Sequence, residues 1–295
     1  MNKVARLRGS LGLAPIALIA LILYAAFLIW PMIYGIFVSF TNMTPYSDEM
    51  DFIGLYNYEQ MLQDPVILRS LGFTLIVTIA VTAISNAVGL ALAMMLNRTS
   101  LAFRAMRTII FLPLVLSGVV IGFIWRAMLT PDGLLNTALM SIGLIDQPIS
   151  WIGEPLLASI AIIVVTSWGS IAFCTVVYTA SLQGVPLELY EASRIDGANA
   201  WGRFIHVTWP LIAAGTTICV VLCLISCLKL FDIVWLVTGG GPANATQTLA
   251  SYYVKVGFTD NRFGYASAVA TFLLLVVAVV SYGLTATLRR REAAL

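Results

Sequence analysis

The most informative stretch of this chain is ELYEASRIDGANAWGRFIHVTWP, residues 188–210. It is a polar, helix-prone segment that separates two apolar runs, each long enough to cross a bilayer. A loop that only joined two membrane spans would have little structural need for such a segment. The segment therefore indicates a function of its own.

Local signals predict two short helices that lie across the membrane face. Pro186 precedes a helix whose first turn carries Glu188 and then Glu191, as suits the positive end of a helix dipole. Asp196 and Gly197 predict a turn in which glycine accepts a positive φ. A second short helix is predicted through Trp201, Phe204 and Val207, after which Pro210 starts the next span.

Composition makes the chain an integral membrane protein. Of its 295 residues, 60% are hydrophobic and only 10% are charged, against about 25% charged in a soluble domain. The net charge of +2 is too small to suggest nucleic acid. We predict an all-α fold, one membrane domain over residues 1–295, with six transmembrane helices near 11–40, 70–96, 108–129, 156–180, 211–237 and 266–288.

Lysine and arginine are distributed unevenly between the loops. With the amino terminus inside, the inner segments hold eleven of these residues and the outer segments four, with Lys229 inside a span. The inner set begins with Lys3, Arg6, Arg8 and Arg98. Because positive charge favours the cytoplasmic side, both termini and the loop 181–210 are predicted to be cytoplasmic. The loop 41–69 is then external.

No pattern typical of catalysis, nucleotide binding or a metal site is present. The chain lacks a Gly-x-x-x-x-Gly-Lys-Ser/Thr loop, so a partner would have to hydrolyse any ATP that powers it. Cys219, Cys223 and Cys227 recur on one helix face without the close-spaced ligand pairs of a metal site. We predict no catalytic residue and no metal ligand.

The polar segment has two interpretations. An amphipathic helix resting on lipid headgroups is usually rich in Lys and Arg, whereas this one leads with two glutamates, so a protein partner is favoured. The segment also resembles the loop of binding-protein-dependent ABC importer permeases: Glu-Ala-Ala, three residues, Gly, nine residues, Ile, one residue, Leu-Pro. The chain has Glu191-Ala192-Ser193, Gly197, Val207 and Trp209-Pro210 at these spacings. Ser193, Val207 and Trp209 depart from the pattern but keep its size or apolarity.

The resemblance covers about residues 50–270. It is most specific to the carbohydrate-uptake branch of the family, the maltose and glycerol-3-phosphate type, and within that branch to the first permease of a heterodimeric pair. It implies the type I importer permease fold in the plasma (inner) membrane of a prokaryote. Implied partners are a second permease, an ATPase dimer that binds ATP and Mg²⁺, an external solute-binding (lipo)protein and a sugar-like solute. No cofactor is expected on this chain. The implied ATPase-coupling residues are Glu188, Glu191, Ala192, Ser193, Asp196, Gly197, Ala198, Phe204, Val207 and Pro210.

The resemblance places the substrate path on the fourth and fifth spans, where helix periodicity selects two faces. One face holds Thr166, Gly169, Ser170 and Phe173, and the other holds Cys223, Ser226, Cys227 and Leu230. Aromatic rings and hydroxyls suit sugar binding, although small residues also serve plain helix packing. Lys229 and Asp232 belong to the same candidate path, since intramembrane charges either pair, snorkel or serve a pathway.

Two other classes remain possible. A membrane-embedded glycan or lipid enzyme would need clustered Asp, His or Arg near one membrane face. An ion-gradient-driven secondary transporter would normally show more intramembrane charges and an internal repeat. Neither pattern is evident here. The transported solute stays open between a disaccharide, an amino sugar and a glycerophospho-compound.

Overall fold

The computed structural model describes residues 17–46, 49–96 and 101–293. Lys3, Arg6, Arg8 and Arg98, on which part of the predicted orientation depends, lie outside the described residues, as do residues 11–16 of the first predicted span.

Most of the described residues are helical. The helices are α1 Ala17–Val38, α2 Tyr56–Gln63, α3 Pro65–Leu96, α4 Leu101–Val115, α5 Gly118–Leu129, α6 Leu134–Ser141, α7 Pro155–Gln183, α8 Leu187–Ile195, α9 Ala200–Leu211, α10 Ala213–Leu228, α11 Asp232–Val237, α12 Leu249–Val254 and α13 Phe263–Ala293.

Within the described ranges, six apolar segments are found where six were predicted, but two of them are not straight. Helices α1, α3, α7 and α13 are each long and apolar enough to cross a bilayer. The pairs α4–α5 and α9–α10 pass the same test only when each bent pair is taken together. The all-helical fold with up to six spans is therefore confirmed, and two of the six spans are each a bent pair of helices.

The third span breaks in its middle. Its two helices, Ala105–Val115 and Gly118–Leu129, meet at 102°. Pro113 has no backbone N–H to continue the ladder and its ring disfavours the helical path. Ser117 is extended, and its Oγ caps the next helix by accepting from the Val120 N–H at 3.3 Å. The predicted helix over 108–129 is thus two half-helices.

The fifth span is also interrupted, at both ends of its central helix. Helix α9 runs through Pro210 to Leu211 and bends by 69° into α10 at Ile212, so Pro210 does not start the span. Helix α10 ends at Leu228, and a new helix begins at Asp232. Lys229 is therefore the C-cap residue of α10, which corrects the prediction that it lies within the helix of the fifth span.

The contacts divide the chain into two compact units, Met1–Gln63 with Tyr253–Phe272, and Asp64–Tyr252 with Leu273–Leu295. In the first unit, Asn57 donates from Nδ2 to the Ser39 and Thr41 carbonyl oxygens, both at 2.8 Å. A Cβ on Gly264 would lie 2.1 Å from the Thr41 carbonyl oxygen. This close approach explains why glycine stands there.

The second unit is organised around α3 and α7, with α10 packed against both. Gly89 allows the crossing of α3 and α7, because a Cβ there would lie 2.5 Å from the Cys174 Cβ. The Tyr178 hydroxyl donates to Asn86 Oδ1 at 2.7 Å and joins the same two helices. An apolar group that we call the hairpin cluster comprises Leu90, Ala93, Cys174, Tyr178, Leu182, Ile212, Cys219 and Cys223, with Phe173, Val177, Val185, Phe204 and Trp209 packed against it.

Candidate functional site

The polar segment forms a helical hairpin, α8–turn–α9, as predicted. Helix α8 follows Pro186 and ends at Ile195, with Asp196 as its C-cap residue, and Gly197 takes a φ of +78° in the turn. The Ala198 N–H then donates to the Ser193 carbonyl at 2.9 Å. Asn199 caps α9, since its Oδ1 accepts from the Gly202 N–H at 2.7 Å.

The hairpin presents apolar as well as acidic side chains to its surroundings. None of the residues of α8 is buried. Leu187 is 70% exposed, Ile195 87% and Trp201 68%. Exposed apolar side chains grouped on one short hairpin are typical of a protein docking surface.

The ten predicted coupling residues fall into two groups in the structure. The exposed group, which we call the free side of the hairpin, contains Glu188, Glu191, Ala192, Asp196 and Gly197. The half-buried group, which we call the anchored side, contains Ser193, Ala198, Phe204, Val207 and Pro210, and Phe204 among them packs against the hairpin cluster. The hairpin therefore has a free side and an anchored side.

A cavity of about 470 Å³ lies in the second unit beside the interrupted spans, within the range of about 300–1,000 Å³ usual for small-molecule sites. The structure brings nine of the ten predicted path residues to its wall, namely Thr166, Gly169, Ser170, Phe173, Cys223, Ser226, Lys229, Leu230 and Asp232. Cys227 does not line the cavity, because its side chain is buried in a neighbouring apolar cluster with Val77 and Ile162.

The wall combines hydroxyl groups with apolar surface. Ser170 Oγ donates to the Thr166 carbonyl at 3.0 Å, which leaves the oxygen able to accept from a ligand. Thr166 Oγ1 is buried without a hydrogen-bond partner in the described part of the chain. Such an atom costs free energy unless a water or a ligand satisfies it. Phe173 supplies an aromatic ring to the same wall.

Lys229 and Asp232 face the cavity at the break between α10 and α11. Over residues 17–46, 49–96 and 101–293, no ion pair or hydrogen bond is found for either side chain. The Asp232 carboxylate instead packs on Gly118, where an added Cβ would lie 3.1 Å from Oδ2. The predicted alternative of mutual neutralisation therefore does not describe this structure.

Sequence reasoning missed the contribution of the third span. Gly118 and Ile121, at the start of α5, line the cavity, and α5 packs on α11 through Gly122 and Leu236. Pro113 was the available signal, since a proline inside an apolar run can mark a broken span beside a binding site. Within the described ranges, no group of three or more His, Cys, Asp or Glu side chains is placed to hold a metal ion.

Broken spans around a cavity, together with an exposed hairpin on the same unit, are typical of a membrane transport protein. Residues 85–293 match the family described as "Binding-protein-dependent transport system inner membrane component". The chain belongs to this family. It is therefore a multi-pass inner membrane transport subunit rather than an enzyme.

Individual proteins agree with this assignment along nearly the whole chain. The chain is 33% identical over 267 residues to the probable ABC transporter permease protein YurN of Bacillus subtilis, which covers 90% of this chain and 91% of that protein. It is 34% identical over 286 residues to the lactose transport system permease protein LacF of Rhizobium radiobacter, covering 96% and 94%. The fold matches a chain of a bacterial alginate ABC transporter, solved with an alginate pentasaccharide-bound periplasmic protein, with a TM-score of 0.83, 23% identity and 99% of each chain covered.

Proposed function

We propose that this chain is a membrane-spanning subunit of an ATP-driven importer for a sugar or sugar-like solute, received from an external binding protein. The proposal depends above all on one observation: the exposed hairpin and the cavity belong to the same compact unit. The similarity to LacF, a permease of a lactose transport system, and to the alginate transporter supports the solute class. A disaccharide, an amino sugar or a glycerophospho-compound fits this description.

The hairpin is the proposed docking site for an ATPase subunit that binds ATP and Mg²⁺. Its exposed apolar residues Leu187, Ile195 and Trp201 would enter a cleft of the partner, flanked by Glu188 and Glu191. Closure of an ATPase dimer would then move the hairpins of this chain and of a second permease. The hairpin must bind its partner with different free energies in the open and closed states of the ATPase dimer, since otherwise no work is transmitted.

The cavity is the proposed solute path. Ser170, Ser226 and Thr166 would exchange hydrogen bonds with sugar hydroxyls, and Phe173 would pack on a ring face. Lys229 and Asp232, which have no charged partner in the described chain, would offer opposite charges near one end of the path. Alternation of the cavity between the two membrane faces would move the solute inward.

The proposed orientation puts both termini and the hairpin in the cytoplasm, as the distribution of Lys and Arg favours. The loop 41–69 would then face the solute-binding protein outside. Cytoplasmic placement of the hairpin is required, because ATP is available on that side.

The decisive experiment is uptake by cells that express the complete importer, with a panel of labelled lactose, maltose, glucosamine and glycerophosphodiesters. We expect uptake of one panel member to stop when ATP is depleted and to persist when the ion gradient is dissipated with ATP maintained. The reverse pattern would favour an ion-driven secondary transporter. Absence of any uptake that depends on this chain would refute the sugar assignment.

A further inference from the structure

Tyr190 connects the first helix of the hairpin to the segment that leads into α10. Its hydroxyl lies 3.1 Å from Thr208 Oγ1. Thr208 is buried, with 6% of its surface exposed, while α8 itself has no buried residue. The Ser193 hydroxyl donates to the Tyr190 carbonyl at 2.8 Å and holds the same turn of α8. This hydroxyl pair therefore joins α8 to α9.

The anchored side is inserted into the bundle by aromatic rings. Phe204 stacks on Trp201 with centroids 5.5 Å apart and contacts Trp209 at 6.1 Å. Phe204 and Trp209 both pack against the hairpin cluster. Ile212, at the 69° bend between α9 and α10, is wholly buried in that cluster. A movement of α9 must therefore displace the cluster.

The hairpin cluster extends to the cavity. Cys223 is a member of the cluster, Phe173 packs against it, and both line the cavity wall. Protein interiors are close-packed and have low compressibility, so they pass displacements to their neighbours. A continuous packed route thus joins Tyr190, through Thr208 and α9, to the cavity.

We propose that Tyr190 is a positioning residue that transmits movement of α8 to the cavity through its bond to Thr208. The inference rests on the proposed docking of an ATPase at the hairpin. It adds the route by which movement of the docked hairpin reaches the solute path. Loss of the hydroxyl pair would let α8 move with the ATPase without carrying α9. ATP would then be hydrolysed while the cavity responded less.

A thiol placed at position 226 provides a reporter that needs no knowledge of the solute. Ser226 lines the cavity and is exposed, whereas the native cysteines Cys174, Cys219, Cys223 and Cys227 are all buried. In the complete importer in lipid nanodiscs, with Ser226→Cys in an otherwise wild-type chain as the background of every variant, the rate at which N-ethylmaleimide labels position 226 is measured by peptide mass spectrometry, with and without Mg²⁺-ATP and vanadate. We expect ATP to change this rate in the wild type. The loss of one neutral hydrogen bond should reduce that response about two- to tenfold in Tyr190→Phe.

Thr208→Val should act like Tyr190→Phe, and the double variant should be no worse than either single one. Thr208→Ser keeps the hydroxyl and should therefore retain the wild-type labelling response to ATP. Tyr282→Phe is the matched control, because this exposed tyrosine of α13 loses the same atom. The ATPase rate per assembled complex should stay near that of the wild type in every variant. A folding defect would lower this rate as well, so an unchanged rate shows that the variant is folded.

An unchanged response in Tyr190→Phe overturns the inference, as does a wild-type labelling rate that ATP leaves unaltered. Failure of the ATPase subunits to co-purify with the wild-type chain would instead refute the proposed function. The two failures are therefore distinguishable.

Discussion

Gly197→Ala should weaken binding of the ATPase at the hairpin without unfolding the chain. Gly197 has a φ of +78°, and an added Cβ would meet no atom within 4 Å. The cost is therefore that of the backbone conformation alone, about 1–2 kcal/mol for an L-residue in the left-handed region. The turn can relieve this strain by rotating, which would misalign α8 relative to α9.

Gly143 offers a matched control on the same compact unit. Its φ is +72°, and an added Cβ would likewise meet nothing within 4 Å, but it follows α6, away from the hairpin. Gly143→Ala therefore carries about the same strain of 1–2 kcal/mol. Any difference between the two variants reports the position of the turn and not the strain itself.

The assay is titration of purified ATPase subunits onto the tagged permease complex in nanodiscs, with bound ATPase measured after capture. If the whole strain opposes docking, Gly197→Ala should lower the affinity by about five- to thirtyfold, while Gly143→Ala should bind like the wild type. Equal affinities for all three proteins, or equal losses in both variants, would refute the assignment of this hairpin as the docking site.

Two further predictions concern packing and the solute path. Gly89→Ala should destabilise the chain by about 1–3 kcal/mol, because its Cβ would overlap Cys174. The control Gly72→Ala, where an added Cβ has open space, should unfold no earlier than the wild type in a thermal melt. Equal melting temperatures for the two variants would contradict the tight crossing of α3 and α7. Ser170→Ala should raise the KM for uptake about two- to tenfold through a lost solute hydrogen bond. Ser159→Ala, which loses the same i−4 bond on α7 outside the cavity, should not, and an equal rise in both would mean that only helix packing was affected.

Local features of this protein could be predicted well because local chemistry decides them. The turn at Gly197 depends on one residue's freedom to adopt a positive φ, and the helices on either side depend on adjacent capping residues. The face that carries Thr166, Ser170 and Phe173 follows from helix periodicity, since residues three or four apart share a side. These signals need no knowledge of distant parts of the chain.

The sequence by itself thus determined the class of the protein, its apolar segments, the hairpin and most of the cavity wall. Only the tertiary structure decided that the third span bends by 102°, that Gly118 meets Asp232 across 114 positions of sequence (232 − 118) and that Cys227 packs away from the cavity. The reason is that the length of an apolar run decides whether it can span a bilayer, but lipid and protein interior are almost equally apolar. Which faces meet, and where a span breaks, therefore depends on close packing between helices far apart in the sequence.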